Sequence, residues 1–156
     1  MDKEIEIGSD AWVSLLAEIA ANYSDGTLIP HEWLRCKFGL RPLKLEDFDT
    51  ADDFIEGLKR QQFTYMSMVE KLRWQLLEDE KMYIKNILGD GYAVIQPKEQ
   101  TKYGYDEFIR SVKKAIRESD LIMNNVRSVP SEQQYKDNDL RAKCSILKQM
   151  FNGIKK

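Results

Sequence analysis

The sequence predicts a mainly α-helical chain closed by one small antiparallel β-hairpin, and three observations carry that prediction. Apolar residues recur at helical spacing over most of the chain. Two short β-type runs, Lys81–Ile87 and Gly91–Ile95, bracket the turn Gly89-Asp90-Gly91. Capping residues, glycines and prolines fall where the periodic stretches begin and end.

Size and composition agree. A chain of 156 residues can bury one core without disulfides or metal, and 42% hydrophobic with 32% charged residues is an ordinary globular balance. No apolar run is long enough to span a membrane, and the start MDKEIEIGSD is acidic, so neither an anchor nor a signal peptide is expected. Cys36 and Cys144 lie far apart and outside any ligand-like spacing, which fits reduced thiols in a cytoplasmic protein. The net charge of −2 conceals an asymmetry. Residues 1–97 hold 11 Lys/Arg and 18 Asp/Glu, hence −7, whereas residues 98–156 hold 13 and 8, hence +5. Such a split points the C-terminal part towards something anionic, either nucleic acid or an acidic protein surface.

Element by element, Ser9 and Asp10 can cap a helix over about 10–23, with Trp12, Leu15, Leu16 and Ile19 on one face. Asp25-Gly26 turns the chain into the short strand Thr27–Ile29. Pro30 fits the first position of a second helix, about 30–38, closed by Gly39. A loop with Pro42 follows, then a short turn at Leu45–Phe48. Thr50 and Asp53 form a capping-box start to a long helix towards Leu77. Its buried stripe is predicted to be Phe54, Leu58, Tyr65, Val69, Leu72 and Leu76, with Phe63 and Trp74 nearly opposite and Gly57 bending the first turns. After the hairpin, Pro97 ends the second strand. Two helices follow, about 98–126 and 131–152, the latter with Ser131 as N-cap. Only the extreme termini are expected to be disordered. The division expected is a module at 1–97 and a two-helix extension at 98–156, packed on that module or used for dimerisation.

Helix, strand, helix, helix, hairpin is the order of a winged helix. Three blocks within residues 10–95 resemble the DNA-binding effector domain of OmpR/PhoB-type response regulators. They are LLAEIAANYSDGTLIPHEWLRCKFG, then MVEKLRWQL with its Leu72-Arg73 pair, then YIKNILGDGYAV with its GxGY wing ending. The resemblance implies that the third helix enters a DNA major groove and that the hairpin meets backbone or minor groove. Departures weaken the functional half of the implication. Leu88 stands where the family commonly has Arg, the segment 40–60 is longer than the family's link, and the helices beyond Pro97 have no counterpart.

The candidate nucleic-acid contacts are Lys59, Arg60, Lys71 and Arg73 on the third helix, with Lys81 and Lys85 near the wing. Their long cationic side chains neutralise phosphates, and Arg reads guanine edges. The same helix, over residues 51–78, carries five acids against four bases, a balance equally suited to a solvated surface. Arg110, Lys113, Lys114 and Arg117 form a clearer row at i, i+3, i+4, i+7, with Phe108, Val112, Ala115 and Ile116 on the other side. Phosphate binding and plain solubility both favour such a row.

The acids Glu46, Asp47, Asp49, Asp52, Asp53 and Glu56 lack the glycine of a calcium loop, and they suit a helix N-terminus or a phosphate mimic. His31, the single histidine, reads as a surface or capping residue. No GxSxG, HExxH, P-loop or Cys/His pair occurs, so neither an enzyme nor a cofactor is expected. Two functions remain in view. One is a DNA-binding regulator. The other is a protein-binding adaptor or inhibitor, for which Phe63 and Trp74 are the candidate partner contacts. Small winged-helix proteins of phages or mobile elements fit either. The stripe Leu140, Cys144, Leu147 and Phe151 adds a homodimer through the C-terminal helices, or a lid over the core.

Overall fold

A computed structural model describes residues 4–154. The expectation of disordered ends concerns residues outside that range. The chain is mainly α-helical with a small three-stranded antiparallel sheet, and it divides into two compact units, Met1–Thr101 and Lys102–Lys156.

The first unit opens with α1 (Asp10–Asn22), which starts where Ser9 accepts the Trp12 N–H at 3.2 Å. Gly26, at φ 83°, turns the chain into β1 (Leu28–Pro30). Pro30 is the last residue of that strand and the N-cap of α2 (His31–Lys37), rather than its first helical residue. Its ψ of 145° is extended, which suits a strand end and a cap alike. A short 3-10 turn (Leu45–Asp47) precedes α3 (Ala51–Asp79). Thr50 caps α3: its Oγ1 accepts the Asp53 N–H at 3.1 Å and donates to the Asp53 carboxylate at 2.6 Å. At the far end Lys81 takes the left-handed conformation (φ 58°), and Met82 N–H returns to the Leu76 carbonyl. The strand predicted from Lys81 therefore begins only at β2 (Ile84–Ile87) and pairs with β3 (Gly91–Val94). The sheet order is β1-β3-β2, with Leu28 opposite Ala93 and Ile84 opposite Val94.

Every expected α1 residue is buried, and so are Tyr65, Val69, Leu72 and Leu76 of α3, joined by Met68. Ile29, Leu34, Phe38, Ile84, Tyr92 and Val94 complete the core, with Trp12 stacked on Phe38 at 5.8 Å. Two members of the predicted α3 stripe depart from it: Leu58 is 42% exposed and Phe54 is half-buried. The core ends at Tyr65, so the first turns of α3 have only the preceding loop to pack on, and Phe54 meets Phe48 edge-on at 5.6 Å. Gly57 does not break the helix. A Cβ there would lie 2.8 Å from the Phe48 ring, so glycine is what lets that ring close on the helix.

The second unit contains most of α4 (Pro97–Asn124) and all of α5 (Ser131–Ile154). Pro130, not Ser131, occupies the N-cap position of α5, since its carbonyl accepts from Gln133 and Gln134 N–H at 3.0 and 3.1 Å. The two helices run antiparallel. Lys148 pairs with Asp120, and Arg141 donates to the Met123 carbonyl at 2.9 Å. Phe151 is the one buried hydrophobic side chain of this unit among the described residues. The predicted stripe on α5 is thus divided: Phe151 is buried, Cys144 half-buried, and Leu140 and Leu147 exposed.

Candidate functional site

The 29-residue α3 has one side committed to the core. Its opposite side is set by the helical period. Phe63 and Trp74, eleven residues apart, differ by about three full turns and point the same way, roughly 16 Å apart along the axis. Phe63 is 71% exposed and Trp74 58%, with Met66 beside them at 56%. Lys59, Arg60 and Lys71 are exposed on this side as expected, and so are Asp52, Glu56, Glu70 and Glu78. Three cations thus stand among four acids, and the surface carries aromatic bulk without a positive excess.

Arg73 departs from its predicted place. It is half-buried, its Nε is buried without a hydrogen-bond partner, and its charge acts on Tyr92. One position away from Leu72 on a helix is a rotation of about 100°, which takes Arg73 to the edge of the core-facing side. Lys85 is half-buried on β2. At the hairpin tip Leu88 is 95% exposed, beside Gly89 at φ 86°.

His31 is also corrected: it is a wedge rather than a surface cap. Its Nδ1 lies 2.7 Å from the Tyr65 hydroxyl, and its ring meets Tyr65 and Tyr92 edge-on at 5.8 and 5.3 Å. Its backbone N–H reaches the Asp90 carbonyl at 3.2 Å, tying α2 to the hairpin turn. Burial, followed by the neighbouring Tyr92, pushes the Tyr65 phenol well above its ordinary range. The Tyr65 hydroxyl and His31 Nδ1 thus share one hydrogen bond across the α2–α3 contact. Burial first, and then the Arg35 guanidinium, hold the His31 pKa below its usual value, with Asp90 pulling the other way. Arg35 stacks over the Tyr65 ring at 4.3 Å and donates to Gln62 at 2.5 Å. This cluster fastens α2, α3 and the hairpin together. Sequence reasoning missed it because its members are far apart in the chain and none has a motif.

A groove of about 660 Å³ opens beside the end of α2, lined by Arg35, Cys36, Leu40, Arg41, Pro42 and Gln61 among others. Gln61 donates to the Arg41 carbonyl at 2.6 Å and fixes one wall. In the sequence this stretch reads only as a loop with a proline.

On α4, Arg110, Lys113, Lys114 and Arg117 are all exposed and share one side of the helix. Arg110 is paired with Glu107 at 2.5 Å and Lys114 with Glu118 at 3.9 Å. Val112 and Ile116 on the other side are half-buried, whereas Phe108 is 56% exposed and Ala115 is exposed. Of the acids at 46–56, Asp47 accepts the Lys44 N–H at 3.3 Å, and the Asp53 carboxylate accepts from the Thr50 hydroxyl in the α3 cap. Among the described residues no group of three or more His, Cys, Asp or Glu is placed to hold a metal ion, and no helix is long and apolar enough to cross a membrane.

In comparisons with known proteins, no family model matches the chain, no curated protein matches it, and no solved structure matches it.

Proposed function

We propose that this chain is a non-enzymatic protein-binding adaptor or inhibitor that uses its winged-helix-like unit as a scaffold and docks through the outward side of α3. The observation that carries this reading is the pair Phe63 and Trp74, 71% and 58% exposed on one side of a helix whose opposite side packs into the core from Tyr65 to Leu76. Aromatic groups in that position are typical anchors of protein interfaces, where each can fill a pocket and exclude water. A groove-reading helix needs cations there instead, to neutralise phosphates. Here four acids more than offset three bases. The partner that suits this surface presents apolar pockets about three helical turns apart, with mixed charge at the rim.

The test is affinity purification from the source cells with wild-type chain and with a Phe63→Ala/Trp74→Ala double variant as bait. A partner that is retained by the wild type and lost from the double variant supports the reading, provided both baits melt alike. A partner set indifferent to both substitutions overturns it.

A second reading has its own observation. The four exposed cations on α4, together with the resemblance of residues 10–95 to OmpR/PhoB-type effector domains, favour a DNA-binding regulator, of the kind a phage or mobile element could encode. Fluorescence anisotropy of labelled mixed-sequence duplex DNA across a salt series tests it. Affinity that falls steeply with salt, and that falls further when Arg110, Lys113, Lys114 and Arg117 are reversed in charge, marks phosphate contact. Absence of binding at low salt removes this reading and leaves the adaptor.

A further inference from the structure

The second unit poses a physical problem of its own. Two helices hold little surface between them, and helices of this length owe most of their stability to burying an amphipathic side. The side of α5 turned to α4 is mixed: Arg141 and Lys148 make polar contacts, Asp137 and Cys144 are half-buried beside them, and Phe151, at the same spacing, is buried. Further apolar residues of the helix are left exposed. Leu140, Leu147 and Ile154 recur at intervals of seven and are 56%, 64% and 62% exposed, with Ile146 and Met150 between them at 57% and 63%.

We infer that α5 pairs antiparallel with α5 of a second copy of this chain, about a twofold axis at Leu147. The spacing carries the choice of occupant. In an antiparallel pair centred on Leu147, each Leu140 meets the partner's Ile154, and Leu147 meets its own counterpart. One stripe is then complementary to itself, as a twofold interface requires. Seven-residue repeats are also the geometry of paired helices. Charge does not oppose the contact, although the unit is basic overall. Lys136 is paired with Glu132 at 4.0 Å and Lys143 with Asp139 at 2.6 Å along the same helix. The five exposed apolar side chains offer roughly 500 Å². With the aliphatic stems of the flanking lysines, this approaches the ~800 Å² per partner of a standard stable interface. Two copies joined in this way display two α3 surfaces, and either function proposed above gains avidity from that. The inference itself rests on neither function.

The experiment uses the full chain. In sedimentation velocity over a concentration series, the wild type forms a dimer. Leu147→Asp places two carboxylates at the axis, and the dimer weakens by at least about thirty-fold. Because Leu147 is 64% exposed, the substitution leaves the helical circular dichroism signal of concentrated protein as the second reading of whether the chain still folds. Disulfide trapping then tests the axis directly in a Cys36→Ser/Cys144→Ser background. Leu147→Cys cross-links to itself on mild oxidation. Leu140→Cys and Ile154→Cys do not cross-link singly, but they do so when mixed. A wild type that is monomeric at all concentrations overturns the inference, as does a dimer that is indifferent to Leu147→Asp. A dimer lost instead in Phe63→Ala/Trp74→Ala also overturns it and moves the second copy to α3.

Discussion

The two units of this chain spend their apolar residues differently. In the first, α1, α2, α3 and the sheet converge on one core, and all of the buried hydrophobic side chains among the described residues except Ile95 and Phe151 belong to it. In the second, α4 has no buried residue and α5 has only Phe151, although both helices are longer than α1 or α2. Hydrophobic content therefore does not measure stability. What matters is whether three or more elements surround the same apolar volume, because a helix buries little against a single neighbour. The first unit is held by its own interior, and the second leaves most of its apolar side chains exposed.

Substitutions can break this comparison, and the largest effects belong to the first unit. Gly91 sits at φ 157°, where an added Cβ would lie 2.1 Å from the Ile29 carbonyl oxygen across the β1–β3 ladder. Gly91→Ala is expected to separate the strands and to cost about 3 kcal/mol or more, combining steric overlap with backbone strain. Thermal denaturation should show it as the largest loss of the set. Tyr92→Ala removes a ring that is 9% exposed and wedged against His31, and it should cost about 3 kcal/mol. An unchanged melting temperature in either variant would sink the picture of a hairpin anchored on the core. By contrast, Leu147→Ala on α5 should move the melting temperature of dilute protein by only about 0.5 kcal/mol equivalent, as surface positions do. If it matches Tyr92→Ala in dilute solution, the two units are not packed as differently as proposed.

Hydrogen exchange sharpens the same contrast without mutation. In dilute protein, amides of α3 around Tyr65–Leu76 should exchange only through global opening, and those of α4 and α5 through cheaper local opening. Equal protection in both units would contradict it.

A smaller effect is expected from pH. His31 has its pKa held below the ordinary 6.5 in the folded state, chiefly by burial. The unfolded chain therefore binds a proton more readily, so this contribution is fully present above about pH 6.5. It declines as pH falls through that value and levels off once the folded-state imidazole also titrates. Chemical denaturation at several pH values should show the decline in the wild type and its loss in His31→Gln, which keeps a polar group near the Tyr65 hydroxyl. The smallest effect is that of the Lys37–Glu18 pair, 2.6 Å apart but with both side chains 36% exposed, where Lys37→Met should change stability by less than about 1 kcal/mol.

Much of the architecture was legible in the residues because it is local. Periodicity marked α1 and α3, Pro30 and Gly39 bounded α2, Ser9 and Thr50 marked two starts, and Gly89-Asp90-Gly91 marked the hairpin. The placement of Phe63 and Trp74 opposite the core stripe was legible for the same reason, since position on a helix follows from counting residues; that neither is covered is seen only in the fold. The errors were also local rules overridden by their surroundings. Leu58 keeps the period of the buried stripe but lies beyond the end of the core, and Arg73 lies too near the core side to act as a free cation.

By itself, then, the sequence determined the elements, their order, the hairpin and the charge imbalance between the two halves, because each depends on neighbours a few positions apart. Only the tertiary structure decided which apolar faces are covered. It joined β1 to β3, brought His31 between Tyr65 and Tyr92, opened the groove beside α2, and left Leu140, Leu147 and Ile154 bare. Those outcomes depend on which surfaces meet across long stretches of chain, and a periodic pattern shows that a face is apolar without showing what it lies against.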